Sequence, residues 1–237
     1  MAFSENTASH NMRYNGVWIT PEPKITGLKD GSSSVQLRSE TVEKLAQWKN
    51  RLFTYPPEDL SFRSLSPGIG VELSADMVPK AKLMDFMNYG PFMFPTRIII
   101  SQRAADFLLG YKGVEQELVP VRLYNQKEEV PGKFYFWIVR SLRPELLDME
   151  YSIIRSGTPG LGFQYHQVKD MAEYQQLIRN ESNTSFIRTK MKEVVTPPAF
   201  MKIQGDWLFV TKKFWQDYQQ TDLTGLEITK NELELVE

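Results

Sequence analysis

The stretch IIISQRAADFLL (98–109) returns in outline about 110 residues later as LFVTKKFWQDY (208–218). Each copy has a short apolar run, one hydroxyl residue, and then apolar residues at helical spacing. This order predicts a buried strand, an N-capping Ser101 or Thr211, and a short amphipathic helix. A serine nucleophile at such a turn needs the flanking glycines of G-x-S-x-G, which Ser101 lacks. The two copies of this unit are therefore expected to be structural scaffold and not catalytic sites. Their similarity is either a degenerate internal repeat or a coincidence.

The rest of the chain predicts further short helices and strand pairs. A helix is expected over 39–53 with Ser39 as its N-cap, and another over 170–180 that begins with a capping box. ELVPVRLY (117–124) and KFYFWIV (133–139) predict a hairpin joined by a charged loop. Interspersed short helices and hairpins indicate an α+β fold, with a mixed, mostly antiparallel sheet and several short helices.

The predicted domain organisation is simple. A flexible segment (1–12) precedes a single α+β domain (13–237), in which an N-terminal lobe over 13–95 is one possible subdivision. Two prolines among β-formers predict that 16–28 is an edge strand or an irregular extended segment. The acidic tail NELELVE (231–237) is expected to be a solvated or edge strand, or an acidic patch that mimics a nucleic acid or phosphate.

Composition excludes several classes of function. The 237 residues include 28 basic and 29 acidic side chains, so no basic surface for nucleic acid is implied. The absence of cysteine excludes thiol catalysis, disulfides and Cys-based zinc sites. No apolar run approaches the roughly 20 residues of a membrane helix, and no signal peptide is evident. We expect a soluble, cytoplasmic protein that does not bind membranes.

No cofactor motif is present either. The glycines of GTPGLG (157–162) and PGIG (67–70) fit neither the G-x-G-x-x-G fingerprint nor a P-loop, and turns explain both. We therefore expect no cofactor and no bound metal.

Candidate catalytic residues are few. His10 lies in the polar N-terminal segment, and His166 lies on a predicted strand, where a hydrogen-bonded structural role is expected. Asp148 and Glu150 are close enough for acid–base work, although a turn-capping role for Asp148 is favoured. An enzyme would need a cleft where Asp148, Glu150 or His166 converge with perturbed pKa values.

The segment MDFMNYGPFMF (84–94) is rich in methionine and aromatic residues. Such a segment is typically a loop that covers a core. The alternative is an adaptable partner surface, because methionine and aromatic residues are enriched where proteins bind proteins.

Several motifs together resemble one bacterial family. The region between residues 78 and 229 resembles the family of immunity protein eleven and the related immunity protein forty-three group. The resemblance rests on four motifs in this order: KLMDF, the S-x-R-A helix start, the L-D-x-x-x-S string and the closing T-G-L. The resemblance implies an immunity protein that binds a cognate toxin, delivered by contact or by a secretion system, and covers its active site. It carries no catalytic residue to this chain.

That function would need buried anchors and a charged rim. The predicted partner-binding residues are anchors in the 84–94 segment and acidic residues in the charged loop: Met84, Phe86, Met87, Tyr89, Phe92, Glu128 and Glu129. Two alternatives remain open, a hydrolase that reverses a toxin's modification and a non-enzymatic adaptor with no toxin involved.

Overall fold

A computed structural model describes most of the chain. The described residues are 12–29, 33–53, 73–91, 98–114, 116–139, 141–142, 144–158, 160–181, 183–192, 198–203 and 208–236, without the side chains of 47–53 and 141–142. The predicted flexible segment as far as residue 11, the PGIG loop and Phe92 lie outside these ranges.

The chain forms two compact units that interleave along the sequence. Unit 1 comprises Met1–Val17, Ser141–Gln216 and Ile228–Glu237, and unit 2 comprises Trp18–Arg140 and Asp217–Glu227. The expected lobe over 13–95 coincides with neither unit. The division differs because strand partners are drawn from distant parts of the chain, which no local composition change marks.

Unit 2 contains three helices and one sheet among its described residues. Its helices are α1 (Pro23–Thr26), α2 (Ser39–Phe53) and α3 (Gln102–Leu109). Its strands are β2 (Val35–Leu37), β3 (Leu73–Met77), β4 (Phe86–Gly90), β5 (Ile98–Ser101), β6 (Gln116–Asn125), β7 (Glu128–Glu129) and β8 (Phe134–Val139). The strand order is β3-β2-β4-β5-β8-β6-β7, and β3 also pairs with β6, so six of the strands close into a ring.

Unit 1 holds the first sheet. Its strands are β1 (Met12–Ile19), β9 (Ser141–Leu142), β10 (Ile153–Thr158), β11 (Gly162–Gln167), β12 (Ser185–Lys190), β13 (Phe200–Ile203), β14 (Leu208–Thr211) and β15 (Leu226–Val236), of which β1 and β15 run on into unit 2. The order is β11-β10-β12-β15-β1-β14-β13-β9. Helix α4 (Met171–Asn180) belongs to unit 1, and α5 (Lys212–Gln219) begins there.

The two units repeat one arrangement of six strands. In unit 2 the order β3-β6-β8-β5-β4-β2 begins and ends with a parallel pair, and the pairs between are antiparallel. Unit 1 has the matching order β12-β15-β1-β14-β13-β9, again with parallel first and last pairs. Strand β1 occupies the position in unit 1 that β8 occupies in unit 2. Of the six strands in each arrangement, β1 is the first along the chain and β8 is the last. The chain order of the strands in unit 1 is therefore a circular permutation of that in unit 2.

The register confirms that the doubled unit is an internal repeat. Phe86 pairs with Ile100 in unit 2, as Phe200 pairs with Val210 in unit 1. Ala104 N–H donates to Ser101 Oγ at 3.2 Å, and in unit 1 the N–H of Phe214 donates to the Thr211 hydroxyl at the same distance. Both hydroxyl residues are therefore helix N-caps, as predicted.

The predicted fold class is confirmed, because short helices accompany mixed and mostly antiparallel sheets. Strands β6 and β8 form the predicted hairpin, and its loop contains the short strand β7. Asp170 caps α4 by accepting from the N–H groups of Ala172 and Glu173. In the described part of the chain, no helix is long and apolar enough to cross a membrane.

Three local predictions were wrong. Ser39 lies inside α2, because Val42 N–H already donates to the carbonyl of Arg38. The segment from residue 16 is no edge strand, since β1 lies between β15 and β14, and Pro23 instead starts α1. The acidic tail as far as residue 236 is likewise an interior strand, because β15 lies between β12 and β1.

Candidate partner-binding surface

Exposed apolar side chains concentrate in one part of unit 1. Of the ten large hydrophobic residues that are exposed in the described chain, six lie between residues 146 and 178. They are Leu146, Tyr151, Leu161, Phe163, Tyr165 and Ile178. Isolated exposed apolar residues need no explanation, whereas those that lie side by side on a surface indicate a contact site.

Strand β11 carries two of these six residues, Phe163 and Tyr165. It is the terminal strand of the unit 1 sheet and pairs antiparallel with β10. Five of its six residues are exposed and His166 is half-buried. Natural edge strands are usually short or guarded by lysine, proline or a bulge. Strand β11 has none of these guards, and the run from Ser156 to Val168 contains no Lys, Arg, Asp or Glu.

One face of the hairpin is aromatic. Phe163 and Tyr165 alternate along β11 and lie opposite Gly157 and Arg155 of β10. The guanidinium of Arg155 lies 4.5 Å from the centre of the Phe163 ring, and it also donates to Asn231 Oδ1. This contact holds the Phe163 ring in place, while Tyr165 remains 64% exposed. The face thus presents preformed aromatic area to solvent.

The opposite face of β11 borders a polar groove against α4. This groove, which we call the α4 groove, has a volume of about 300 Å³ and is lined by His166, Gln167, Val168, Glu173, Gln176, Leu177, Asn180 and Glu181. Its described lining contains two carboxylates and no lysine or arginine. Glu173 Oε2 accepts from Lys169 N–H at 2.9 Å, and Glu181 Oε2 accepts from the Ser156 hydroxyl at 3.2 Å.

Ser156, His166 and Glu181 do not form a hydrolytic triad. In a triad, histidine lies between the serine and the acid and removes the serine proton. Here Ser156 is the central group, 2.8 Å from His166 Nε2 and also bonded to Glu181. With its single proton directed to the carboxylate, the hydroxyl accepts from Nε2–H. Ser156 is also fully buried, so the arrangement ties β10, β11 and α4 together.

The other candidate acids lie elsewhere. Asp148 Oδ1 accepts from Glu150 N–H, which is the predicted capping role, and the Glu150 carbonyl accepts from the Gln167 side chain. Neither Asp148 nor Glu150 lines the α4 groove. The α4 groove therefore does not bring either acid together with His166. Within the described ranges, no group of three or more His, Asp or Glu side chains could hold a metal ion.

The predicted anchors in the 84–94 segment are core residues instead. Phe86, Met87 and Tyr89 have no exposed surface, and Met84 is 4% exposed. Within the described part of this segment, Phe86–Gly90 form strand β4, which pairs with β2 and β5 in the ring of unit 2, instead of a covering loop. The prediction that these four residues contact a partner was therefore wrong, because such contact would require unit 2 to open.

The predicted acidic rim lies on the surface of unit 2. Glu128 and Glu129 are exposed on β7, which pairs with the end of β6 through a two-residue turn. Both turn residues, Gln126 and Lys127, have positive φ. A partner contact by Glu128 and Glu129 stays a prediction.

The aromatic surface was missed at the sequence level, although a signal for it exists. The uncharged run that ends in GFQYHQV alternates aromatic and polar residues, which fits a strand with one apolar face. What the alternation does not show is that β11 lies at an edge and leaves this face uncovered.

No protein-family model matches the chain, and no curated protein matches it at a significant level. The resemblance to the immunity families therefore rests on the short motifs quoted above.

Proposed function

We propose that this protein is a non-catalytic binding protein, which neutralises a cognate toxin by covering part of its surface. The observation that carries the binding role is the unguarded, uncharged edge strand β11 with its aromatic face. The resemblance to immunity families supplies the class of partner. In this proposal the anchors are Phe163 and Tyr165, in place of the buried residues of the 84–94 segment.

Energetic considerations support the choice of Phe163 and Tyr165. Aromatic residues dominate binding hot spots, because a rigid ring buries a large area at low entropic cost. Truncating such an anchor typically costs about 2 kcal/mol or more, or roughly 30-fold in affinity. Tyr151, 57% exposed and with Lys190 Nζ 5.6 Å from its ring centre, adds aromatic area in the same unit. A stable complex would bury at least about 1,000 Å² in total.

The proposed site of action is the cytoplasm, where an immunity protein would meet a delivered toxin. Glu128 and Glu129 are retained as a rim whose charge speeds association, an effect that added salt weakens.

The test begins with affinity purification of the tagged protein from the bacterium that encodes it. Wild type is compared with the double variant Phe163→Ser/Tyr165→Ser, and with Leu109→Ser as a matched control. Leu109 is 58% exposed on α3 in unit 2, so its replacement removes exposed apolar area that does not belong to unit 1. Circular dichroism verifies that all three proteins fold.

The expected result is one stoichiometric partner that wild type and Leu109→Ser retain and the double variant loses. Expressed alone the partner should be lethal, and co-expression of the wild-type protein should restore growth. A harmless partner would support the adaptor alternative instead. A partner retained at full strength by the double variant would show that the anchors lie elsewhere.

A further inference from the structure

We propose that the partner binds by adding an extended strand to the open edge of β11, and that this strand alternates basic and apolar residues. The inference rests on the proposed binding function, which it deepens by naming the chemistry of the segment recognised. Its first support is the backbone of β11. Among the described strands β11 is the terminal one of the unit 1 sheet and pairs with β10 alone, so its other edge offers N–H and C=O groups for pairing.

The length of β11 sets the length of the added strand. Six residues at about 3.3 Å per residue span roughly 20 Å. An added strand of that length places about three side chains on each face of the sheet, because successive side chains point to opposite faces. The two faces of β11 differ in chemistry, so the two sets of side chains meet different surroundings.

On one face the added side chains continue the row of Phe163 and Tyr165. The neighbouring residues of β10 on this face are Arg155, which pairs with Tyr165, and Ile153, which pairs with Gln167. The Arg155 guanidinium is already engaged by Phe163 and Asn231. Apolar partner side chains therefore suit this face, since they cover aromatic area without adding a second cation beside Arg155.

On the other face the added side chains meet the α4 groove. Glu173 and Glu181 supply its two negative charges, and the groove lining contains no lysine or arginine. Glu181 uses Oε2 to accept from Ser156, and no bond to its Oε1 comes from the part of the chain that the structure describes. Lys169 Nζ lies 3.9 Å from Glu173 Oε1, but the Lys169 side chain is 85% exposed and its attraction is screened. Lysine or arginine side chains of a partner complement this charge.

The experiment uses labelled synthetic heptapeptides and the full chain. The probe alternates valine and lysine, and three comparison peptides replace lysine by glutamate, group the same residues into blocks, or carry N-methyl groups on every amide. Fluorescence anisotropy measures the affinity, and hydrogen exchange locates the protected amides. Glu173→Gln and Glu181→Gln remove charge but keep an acceptor oxygen, and Glu232→Gln, exposed on β15, is the matched control.

The expected result is that the alternating basic peptide binds at least about tenfold more tightly than each comparison peptide, because pairing and charge both favour it. Bound peptide should slow exchange of amides within 162–167. Each substitution in the groove should weaken binding by roughly 2–5-fold, as for a partly exposed charge pair, and Glu232→Gln should not.

Equal binding of the acidic or block peptide, protection outside β11, or no binding would overturn the inference. The outcome separates cleanly from that of the proposed function. A lethal partner whose capture depends on Phe163 and Tyr165, combined with no peptide preference, leaves the function standing and removes strand addition. If the peptides are recognised as expected and no toxin is captured, strand addition stands and the proposed toxin-neutralising function is removed.

Discussion

Removing the two equivalent helix caps should cost the protein unequal amounts of stability. Thr211→Ala deletes one bond, from Phe214 N–H to the hydroxyl, and loss of an N-cap typically costs about 1 kcal/mol. Ser101→Ala deletes the matching bond from Ala104 N–H and also the Ser101 hydroxyl's bond to Asp85 Oδ1 at 2.7 Å.

The Asp85 carboxylate makes the difference. Asp85 is only 8% exposed, and a hydrogen bond to a charged group contributes about 1.5–3 kcal/mol. Thr224 N–H still donates to Oδ2 at 3.0 Å, so the carboxylate is not left without a donor. The expected cost of Ser101→Ala is therefore about 2.5–4 kcal/mol, compared with about 1 kcal/mol for Thr211→Ala.

Urea unfolding followed by circular dichroism gives the free energies, and hydrogen exchange over 102–109 and 212–219 assigns each loss to its helix. Replacement of Ser101 by threonine, which keeps the hydroxyl, serves as the control and should recover most of the loss. Equal costs for the two alanine variants would refute the reasoning, because the bond to Asp85 would then contribute nothing. A negligible cost for both would refute the capping role itself.

Two further predictions concern pH and backbone space. Burial raises the pKa of Tyr14 above its ordinary value of 10.0, so above about pH 10 the unfolded state loses this proton first. Ionisation of Tyr14 leaves the free energy of unfolding unaffected below pH 10 and should lower it above pH 10 by at most about 1.4 kcal/mol per pH unit. Urea titrations between pH 8 and 11 should show a shallower fall in the free energy of unfolding for Tyr14→Phe. The same fall in Tyr14→Phe as in wild type would contradict the assignment. Gly225 and Gly160 both have positive φ, but a Cβ on Gly225 would lie 2.2 Å from the Phe86 carbonyl oxygen and one on Gly160 meets nothing within 4 Å. Thermal unfolding should therefore show Gly225→Ala to be far more destabilising than Gly160→Ala, whose cost should be about 1 kcal/mol; similar melting temperatures would contradict the close approach.

Much of the local structure was predictable because its causes are local. Ser101, Thr211 and Asp170 cap helices through bonds to N–H groups two or three residues away, and Asp148 caps a short turn in the same way. Both partners of such a bond lie within the same few residues of sequence, so the bond can be predicted from the sequence. The same holds for the hairpin of β6 and β8, whose strands are separated by one loop.

The candidate site could be predicted only in part. The alternation of Phe163 and Tyr165 along an uncharged strand is visible in the sequence. The partnership of His166 with Ser156 and of Ser156 with Glu181 is not, because it joins a hairpin to the end of a helix. The absence of Asp148 and Glu150 from the α4 groove is likewise a result of packing.

By itself, the sequence determined the type of most elements, the N-caps of α3, α4 and α5, and the mixed α+β class. Only the tertiary structure decided which apolar strands are covered. Strand β4 is rich in methionine and aromatics and is enclosed between β2 and β5, while β11 is uncharged and keeps an open edge. The physical reason is that burial of a strand depends on its neighbours in the sheet, and these neighbours can come from distant parts of the chain, as β1 and β15 do.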